Sequence, residues 1–564
     1  MHIGNILLIS PALYLIAAAI VVLIVGVIAA KNPNGKLEHY FSAHYLAPSL
    51  LVPALIPAGW AIFASLQLVK YPVLLTINEA KHYVNPVSLF VTGSGAAQLT
   101  VDPFGAIFAF VAIAGTLIVM LLSIDYFGEY QPHKAEYYSL LMFATAAACF
   151  AACASDLLAI FLSLEFLSLI SYLLASYVKT DRRSAEAGLK YFLYGAACSA
   201  VMLYGISILF GITGGSTELG TVAASFTAID GPAMTGAGWV AIVFILVGFG
   251  FKLALVPFHF WAPDAYEGAP TPVTAFLSVV SKAAGFAVVV RFLLIATSSY
   301  TPSQFHWYWL IVALCVLSMF YGNLVALSQK NIKRLLAYSS IAHVGYILIG
   351  ILAAMYEFNP GNIDVKSTVV RADVTIQNIS GFGLPHWALL SVVVYVFAYL
   401  FMNLGVFAVI SAIGKAIKSD KIDSYSGLMK SSPFYAICLT IFLISLSGVP
   451  PTAGFLGKFL VFGSAVKIGA AGHPELIILT IFAIINSVIS VYYYLNIVRL
   501  MFFGKTDRKY IPKNSFAVKT AAVVCAVFVF AIMIFASPII RLALKSVYDC
   551  SANMNSISLE KYDR

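Results

Sequence analysis

The sequence is short of charge. Only 10% of its 564 residues are Asp, Glu, Lys or Arg, while 61% are hydrophobic. A soluble chain carries roughly 25% charged residues, so an ordinary soluble domain is excluded. The seven cysteines contain no C-x-x-C pair, and the ten histidines form no obvious facing pair for haem. There is no glycine-rich dinucleotide fingerprint and no phosphate-binding loop. Redox chemistry on this chain therefore has no visible support. Cys149 and Cys153 lie one helical turn apart, and packing by small apolar side chains explains them better than a metal. The opening stretch, MHIGNILLIS, lacks a basic leader segment and reads as the start of a first span.

Long apolar runs are what the sequence has in abundance. A helix needs about 20 residues to cross a bilayer. Fourteen such spans are expected, over 5–30, 46–70, 104–125, 137–154, 157–178, 184–212, 238–262, 271–297, 306–328, 332–355, 386–413, 433–466, 476–504 and 515–544. The runs are continuous, not the alternating ten-residue segments of a membrane barrel. The fold class expected is an all-α polytopic membrane protein. The net charge of +9 does not point to nucleic acid, because the basic residues gather in alternate loops. Lys134, Lys179, Arg182, Arg183, Lys330, Lys333, Arg334, Lys415, Lys430 and Arg508 fall on one side. By the positive-inside bias that side is the cytoplasm, and both termini face outward. Asp102 and Asp125 stand at span ends and read as solvated boundary charges.

A few charges lie inside the spans. Lysine at the centre of a membrane helix costs roughly 2.5 to 3.5 kcal/mol, so each asks for a reason. Lys252 and Lys282 flank FHFWAPDAYEGAPTPV. Pro257 lacks an N–H and crowds the carbonyl of Leu253, so the helix is expected to break there. Asp264 and Glu267 lie in the following turn and read as interfacial. Glu165 is nine residues into the fifth span, about 13 Å at 1.5 Å per residue. Lys190 is two turns into the sixth, and an ion pair between the two is expected. His343 lies mid-way along the tenth span. In the twelfth, SLSGVPPTAGFLGKF, Gly448, Pro450, Pro451 and Gly454 interrupt the helix just before Lys458. Irregular backbone at that depth is tolerated only where protein or a water-filled cavity satisfies it. The tyrosines and Arg499 of VYYYLNIVRL read as an interfacial belt.

Spans 4–8 and 9–13 form two five-helix blocks, each with a proline-broken fourth helix bearing a lysine. Five is odd, so the second block is inverted relative to the first, a transporter layout. The expected organisation is an N-terminal three-helix region (1–130), the two repeats (131–300 and 301–510) and a C-terminal helix and tail (511–564). The polar stretch 356–384 reads as an outward insertion.

Four segments carry a family resemblance: SAEAGLKYFLYGAACSAVMLYG at 184–205, FKLALVPFHFWAPDAYEGAPTPVTAFLSVVSKAAGF at 251–286, QKNIKRLLAYSSIAHVGY at 329–346 and SLSGVPPTAGFLGKF at 445–459. The chain resembles the antiporter-like membrane subunits of respiratory complex I, the NADH-quinone oxidoreductase, and their relatives in multisubunit cation/proton antiporters. The resemblance spans helices 4 to 13. It implies a fourteen-helix fold with a proton path through the membrane middle. Its functional glutamate matches Glu165, its lysines match Lys190, Lys252 and Lys282, and its histidine matches His343. Lys458 occupies the twelfth-helix position, where M-type subunits typically have glutamate. That favours the N or L type, and the absence of a following lateral helix disfavours L. The resemblance also implies a bacterial inner-membrane protein moving protons through a Lys/His/Glu relay. The driving energy would come from partner subunits, neighbouring antiporter-like and small membrane subunits among them. No cofactor is expected on this chain; NADH, FMN, Fe–S clusters and quinone belong to the partners. The alternative is a subunit of a Na⁺/H⁺ antiporter or of a membrane-bound hydrogenase-type complex.

Overall fold

A computed structural model describes residues 10–30, 46–55, 87–91, 97–127, 134–227, 236–296, 306–357, 387–504, 516–540 and 543. The described helices of ten or more residues are α1 (Ser10–Ala30), α2 (Leu46–Leu55), α3 (Pro103–Phe127), α4 (Lys134–Cys153), α5 (Leu157–Ala175), α6 (Arg182–Ile212), α7 (Gly236–Leu253), α8 (Thr271–Ala296), α9 (His306–Ala326), α10 (Ile332–Glu357), α11 (Trp387–Ile417), α12 (Pro433–Ser447), α13 (Ala453–Ala470), α14 (Pro474–Phe503) and α15 (Phe516–Ile534). Twelve of the described helices are long and apolar enough to cross a membrane. The chain is thus a helical, polytopic membrane protein. The expected spans 5–30 and 46–70 extend into residues outside those described, as do the stretch 356–384, apart from its first two residues, and most of the C-terminal tail.

Three helices form the interior. α8, α10 and α11 are enclosed along almost their whole length, while α6, α14 and α15 keep much of their surface outward. An apolar helix that is buried all round belongs at the centre of a bundle. Polar side chains on these helices therefore face protein, and on the neighbouring α5 the serines turn back on their own backbone. Ser163, Ser168 and Ser171 each donate to the carbonyl four residues earlier, which satisfies the hydroxyl without water.

Two helices are interrupted. α7 ends at Leu253, the residue whose carbonyl the Pro257 ring would crowd, and the chain resumes as the short helix Trp261–Gly268. α12 ends at Ser447, and α13 begins at Ala453 beyond Pro450 and Pro451. Gly448 adopts φ +85°, a left-handed conformation that a side chain would strain. At Gly454 an added Cβ would stand 1.8 Å from the Ser445 carbonyl oxygen. The two sides of this break touch backbone to side-chain position, and only glycine fits.

The structure adds one element and corrects two expectations. A small antiparallel hairpin, β1 (Val87–Val91) and β2 (Ala97–Val101), precedes α3, with Val87 opposite Val101 and Val91 opposite Ala97. It is anchored on the turn between α4 and α5, where Ser155 N donates to Gln98 O at 3.1 Å and Thr100 to Ser155 at 3.0 Å. Asp102 is not a solvated boundary charge. It is 4% exposed and pairs at 2.5 Å with Arg291 of α8, itself 3% exposed. Asp102 also caps α3 through Gly105 N at 2.7 Å. Nor are Tyr493 and Tyr494 an interfacial belt. They are 3% and 0% exposed, because α14 continues to Phe503 beyond them; only Tyr492 points outward.

The Asp102–Arg291 pair yields a prediction. Removing one member of a buried ion pair costs about 3–5 kcal/mol, because the other charge stays buried. Asp102→Ala should lower the yield and thermal stability of the purified protein by that order, and Asp102→Asn by less. Unchanged stability in Asp102→Ala would show that Arg291 does not need its carboxylate.

Candidate functional site

The site begins on α5, which Asp156 starts by accepting from Leu158 N at 2.8 Å and Ala159 N at 3.2 Å. Glu165 is half-buried, and its Oε2 accepts from Ser199 Oγ of α6 at 2.6 Å. The expected Glu165–Lys190 pair is not what the structure shows. Lys190 donates to Asp264 Oδ2 and to Glu186 Oε1, both at 2.8 Å. The reason is depth. Ser199 lies nine residues beyond Lys190 on α6, about 13 Å further into the membrane, and it is Ser199 that comes level with Glu165.

Lys190 instead belongs to a charged cluster at one end of the bundle. Asp264, on the short helix Trp261–Gly268, also accepts from Arg334 of α10 at 2.6 Å. Arg334 reaches Glu267 at 3.0 Å, and Asn331 donates to Glu267 at 3.0 Å. Burial alone would raise the Asp264 carboxyl, but the hydrogen bonds from Lys190 and Arg334 outweigh it and hold it below the ordinary carboxylate value. The two acidic residues of the turn thus tie α6 and α10 to the broken helix.

The remaining candidates lie in the interior. Lys252 occupies the last turn of α7, 2% exposed, and donates to Ser168 Oγ at 3.0 Å. Ser168 is three residues beyond Glu165 and shares its face of α5. Glu165 is near enough to act on Lys252 through its charge. Lys282, on α8 and 1% exposed, donates to Ser340 Oγ of α10 at 2.8 Å. Ser340 in turn is three residues before His343. The histidine's Nδ1 lies 2.8 Å from Tyr395 Oη of α11, and its Nε2 3.4 Å from Tyr494 Oη of α14. Tyr494 also shares a short hydrogen bond with Ser339. Both Lys282 and Lys458 lie within electrostatic reach of His343.

Lys458 completes the series on α13, 4% exposed, donating to Ser447 O and Ser487 Oγ at 2.9 Å each. The Ser447 carbonyl is left free for it by the break after α12. Lys458 also lines a groove together with Phe455, Phe459, Ser487 and Val488. Among the described residues, the partners of Lys252, Lys282 and Lys458 are hydroxyls and one carbonyl, not carboxylates. A hydroxyl serves an amine in either protonation state, accepting from the ammonium and donating to the neutral amine.

Ser168, Ser340, Tyr395 and Ser487 do not stand out in the sequence, while Asp264, Arg334 and Tyr494 read there only as boundary charges and an interfacial tyrosine. Two of them were within reach of it, since Ser168 and Ser340 stand three positions from Glu165 and His343 on the same helical faces. The others come from elements distant in sequence.

A family described as NADH:quinone oxidoreductase/Mrp antiporter, TM, matches residues 154–359 and 378–490. The chain belongs to this family. Subunit N of the NADH-quinone oxidoreductase of Desulfitobacterium hafniense is 39% identical over 445 residues, covering 78% of this chain and 84% of that protein. NAD(P)H-quinone oxidoreductase subunit 2 of Gloeobacter violaceus is 41% identical over 418 residues, 74% of this chain and 72% of that one. A chain of respiratory complex I from Thermus thermophilus superposes with a TM-score of 0.67 at 26% identity, covering 94% of this chain and 99% of its own. A chain of the Mrp complex from Dietzia sp. DQ12-45-1b gives 0.74 at 19% identity over 98% of this chain and 99% of its own, a likeness of fold. The family's matched region contains all six candidate residues, from Glu165 to Lys458.

Proposed function

We propose that this chain is a proton-translocating, antiporter-like membrane subunit of a complex I-type quinone oxidoreductase. The observation that carries the reading is the buried series Lys252, Lys282, His343 and Lys458. Each sits on hydroxyl or carbonyl partners across α5, α7, α8 and α10–α14. Such a series can hold a proton at each amine or imidazole in turn, with water bridging the intervals. Glu165 acts as the switch through its charge, one turn along α5 from Ser168, the partner of Lys252. Lys190, held by two carboxylates, secures the inner end of the bundle. The broken helices α7 and α12–α13 place one relay lysine beside each interruption, in keeping with two inverted repeats.

In this reading the chain contributes no redox group of its own. Partner subunits carry NADH, FMN, Fe–S clusters and quinone, and neighbouring membrane-arm subunits transmit the energy. The complex sits in a bacterial inner membrane with both termini on the periplasmic side. The test is transport by the purified complex in proteoliposomes: quinone reduction should drive proton uptake in sodium-free buffer. The fold shared with the Mrp complex favours a second reading, a gradient-driven Na⁺/H⁺ antiporter subunit. A strict sodium requirement, with no redox subunits in the purified complex, would select that reading and overturn the first.

The orientation has its own test. Lys179 is exposed in the loop between α5 and α6, on the side assigned to the cytoplasm. A cysteine replacing it should be labelled by an impermeant maleimide only after the membrane is opened. Labelling in intact cells would reverse the orientation.

A further inference from the structure

Lys458 shares its surroundings with buried polar side chains that the relay does not use. Its Nζ lies 5.1 Å from the centroid of the Tyr346 ring. A cation over an aromatic face is attracted by the ring's quadrupole, the more so when both are out of water. Tyr346, 1% exposed, also meets His343 edge-on with centroids 5.6 Å apart. Its hydroxyl accepts from Asn323 Nδ2 of α9 at 3.0 Å. Asn323 is wholly enclosed. The same Nδ2 reaches Met319 O at 3.0 Å and Asn486 Oδ1 of α14 at 3.2 Å, while its Oδ1 accepts from Tyr493 Oη at 2.9 Å. Apolar residues would pack here without such a lattice. A buried polar network of this kind fixes one arrangement.

Asn323 has no proton to give or take near neutral pH, so it is not a carrier. What it does control is the phenol. We propose that Asn323 is a positioning residue that holds the Tyr346 ring against the Lys458 ammonium, and so sets how firmly Lys458 keeps its proton. The inference rests on Lys458 being part of the relay. The titratable groups facing this site are His343 and Tyr346 from α10, Tyr395 and Tyr399 from α11, Tyr493 and Tyr494 from α14, and Lys467 of α13 itself, which lines the same groove. α12 and α15 carry Tyr435, Cys438, Lys519 and Cys525, and Lys519 lies over the Phe434 ring instead.

The test uses the assembled complex in proteoliposomes and reads proton transport against pH. Tyr346→Phe is the reference, and phenylalanines bearing one, two and three ring fluorines are placed at the same position. Fluorine leaves the shape nearly unchanged while draining charge from the ring face. The alkaline limb of the profile should move stepwise to lower pH, by up to about one unit. Asn323→Leu in an otherwise unaltered chain should move the same limb in the same direction. Added to Tyr346→Phe it should have no further effect, because the hydroxyl it acts on is gone. A lattice that only braces the fold would change the amount of assembled complex and leave the profile fixed, which overturns the proposal. If Asn323→Leu does not assemble, the milder Asn323→Ala is read in its place, because the fluorine series tests the ring and not Asn323. Full transport by Lys458→Ala would remove the underlying relay role. Loss of transport in Lys458→Ala, with an unmoved fluorine series, would reject only the part assigned to Asn323 and Tyr346.

Discussion

Lys252→Ala is expected to cut redox-driven proton transport roughly a hundredfold, the scale of losing a positioned proton-transfer group, in a complex that still assembles. Assembly survives because the change removes a buried cation and strands little. Ser168, the partner of Lys252, keeps its own bond to Leu164 O at 2.7 Å. Lys252→Arg should not rescue transport. A guanidinium stays charged throughout the working pH range and cannot release the proton. It is also larger, and Lys252 is closely packed, its Cγ only 3.2 Å from where a Cβ on Gly285 of α8 would stand. The measurement is quinone-dependent proton uptake in proteoliposomes, with the assembled complex quantified on native gels. Normal uptake by assembled Lys252→Ala complex would remove this lysine from the path.

Much of this organisation could be read from the residues because membranes impose simple rules. Continuous apolar runs give spans, a Pro or Gly–Pro–Pro cluster gives a break, and a lysine within a run gives a candidate site. These signals depend only on neighbours in sequence. What they could not supply was pairing at long range. Arg291 finds Asp102 across 189 positions and Arg334 finds Asp264 across 70, contacts that only the packed bundle creates. The hairpin before α3 was hidden because its strands are short and continue the apolar character of the flanking spans. Tyr493 and Tyr494 resembled a belt because tyrosine near a helix end is ambiguous until the helix end itself is known. Glu165 pairs with Ser199 and not with Lys190 for a different reason: the two opposite charges differ in depth by several turns, and the packed helices leave each beside a nearer partner.

The corrected partner of Glu165 sharpens the test of its role. Glu165→Gln is expected to assemble normally and to lose most proton transport. If the carboxylate were a scaffold, its work would be the bond from Ser199 that joins α5 to α6. A glutamine carbonyl oxygen accepts that hydrogen bond equally well, so a scaffold role survives the substitution and transport should persist. If the carboxylate is a switch, what matters is its charge beside Lys252, and glutamine has none. Ser199→Ala tests the converse, since it removes the bond and keeps the charge; it should disturb packing modestly and leave transport largely intact. Nor should Lys190→Ala rescue a Glu165→Ala chain, because Lys190 is already balanced by Asp264 and Glu186 and owes nothing to Glu165. Full transport by Glu165→Gln, or recovery in the Glu165→Ala, Lys190→Ala pair, would return Glu165 to a structural role.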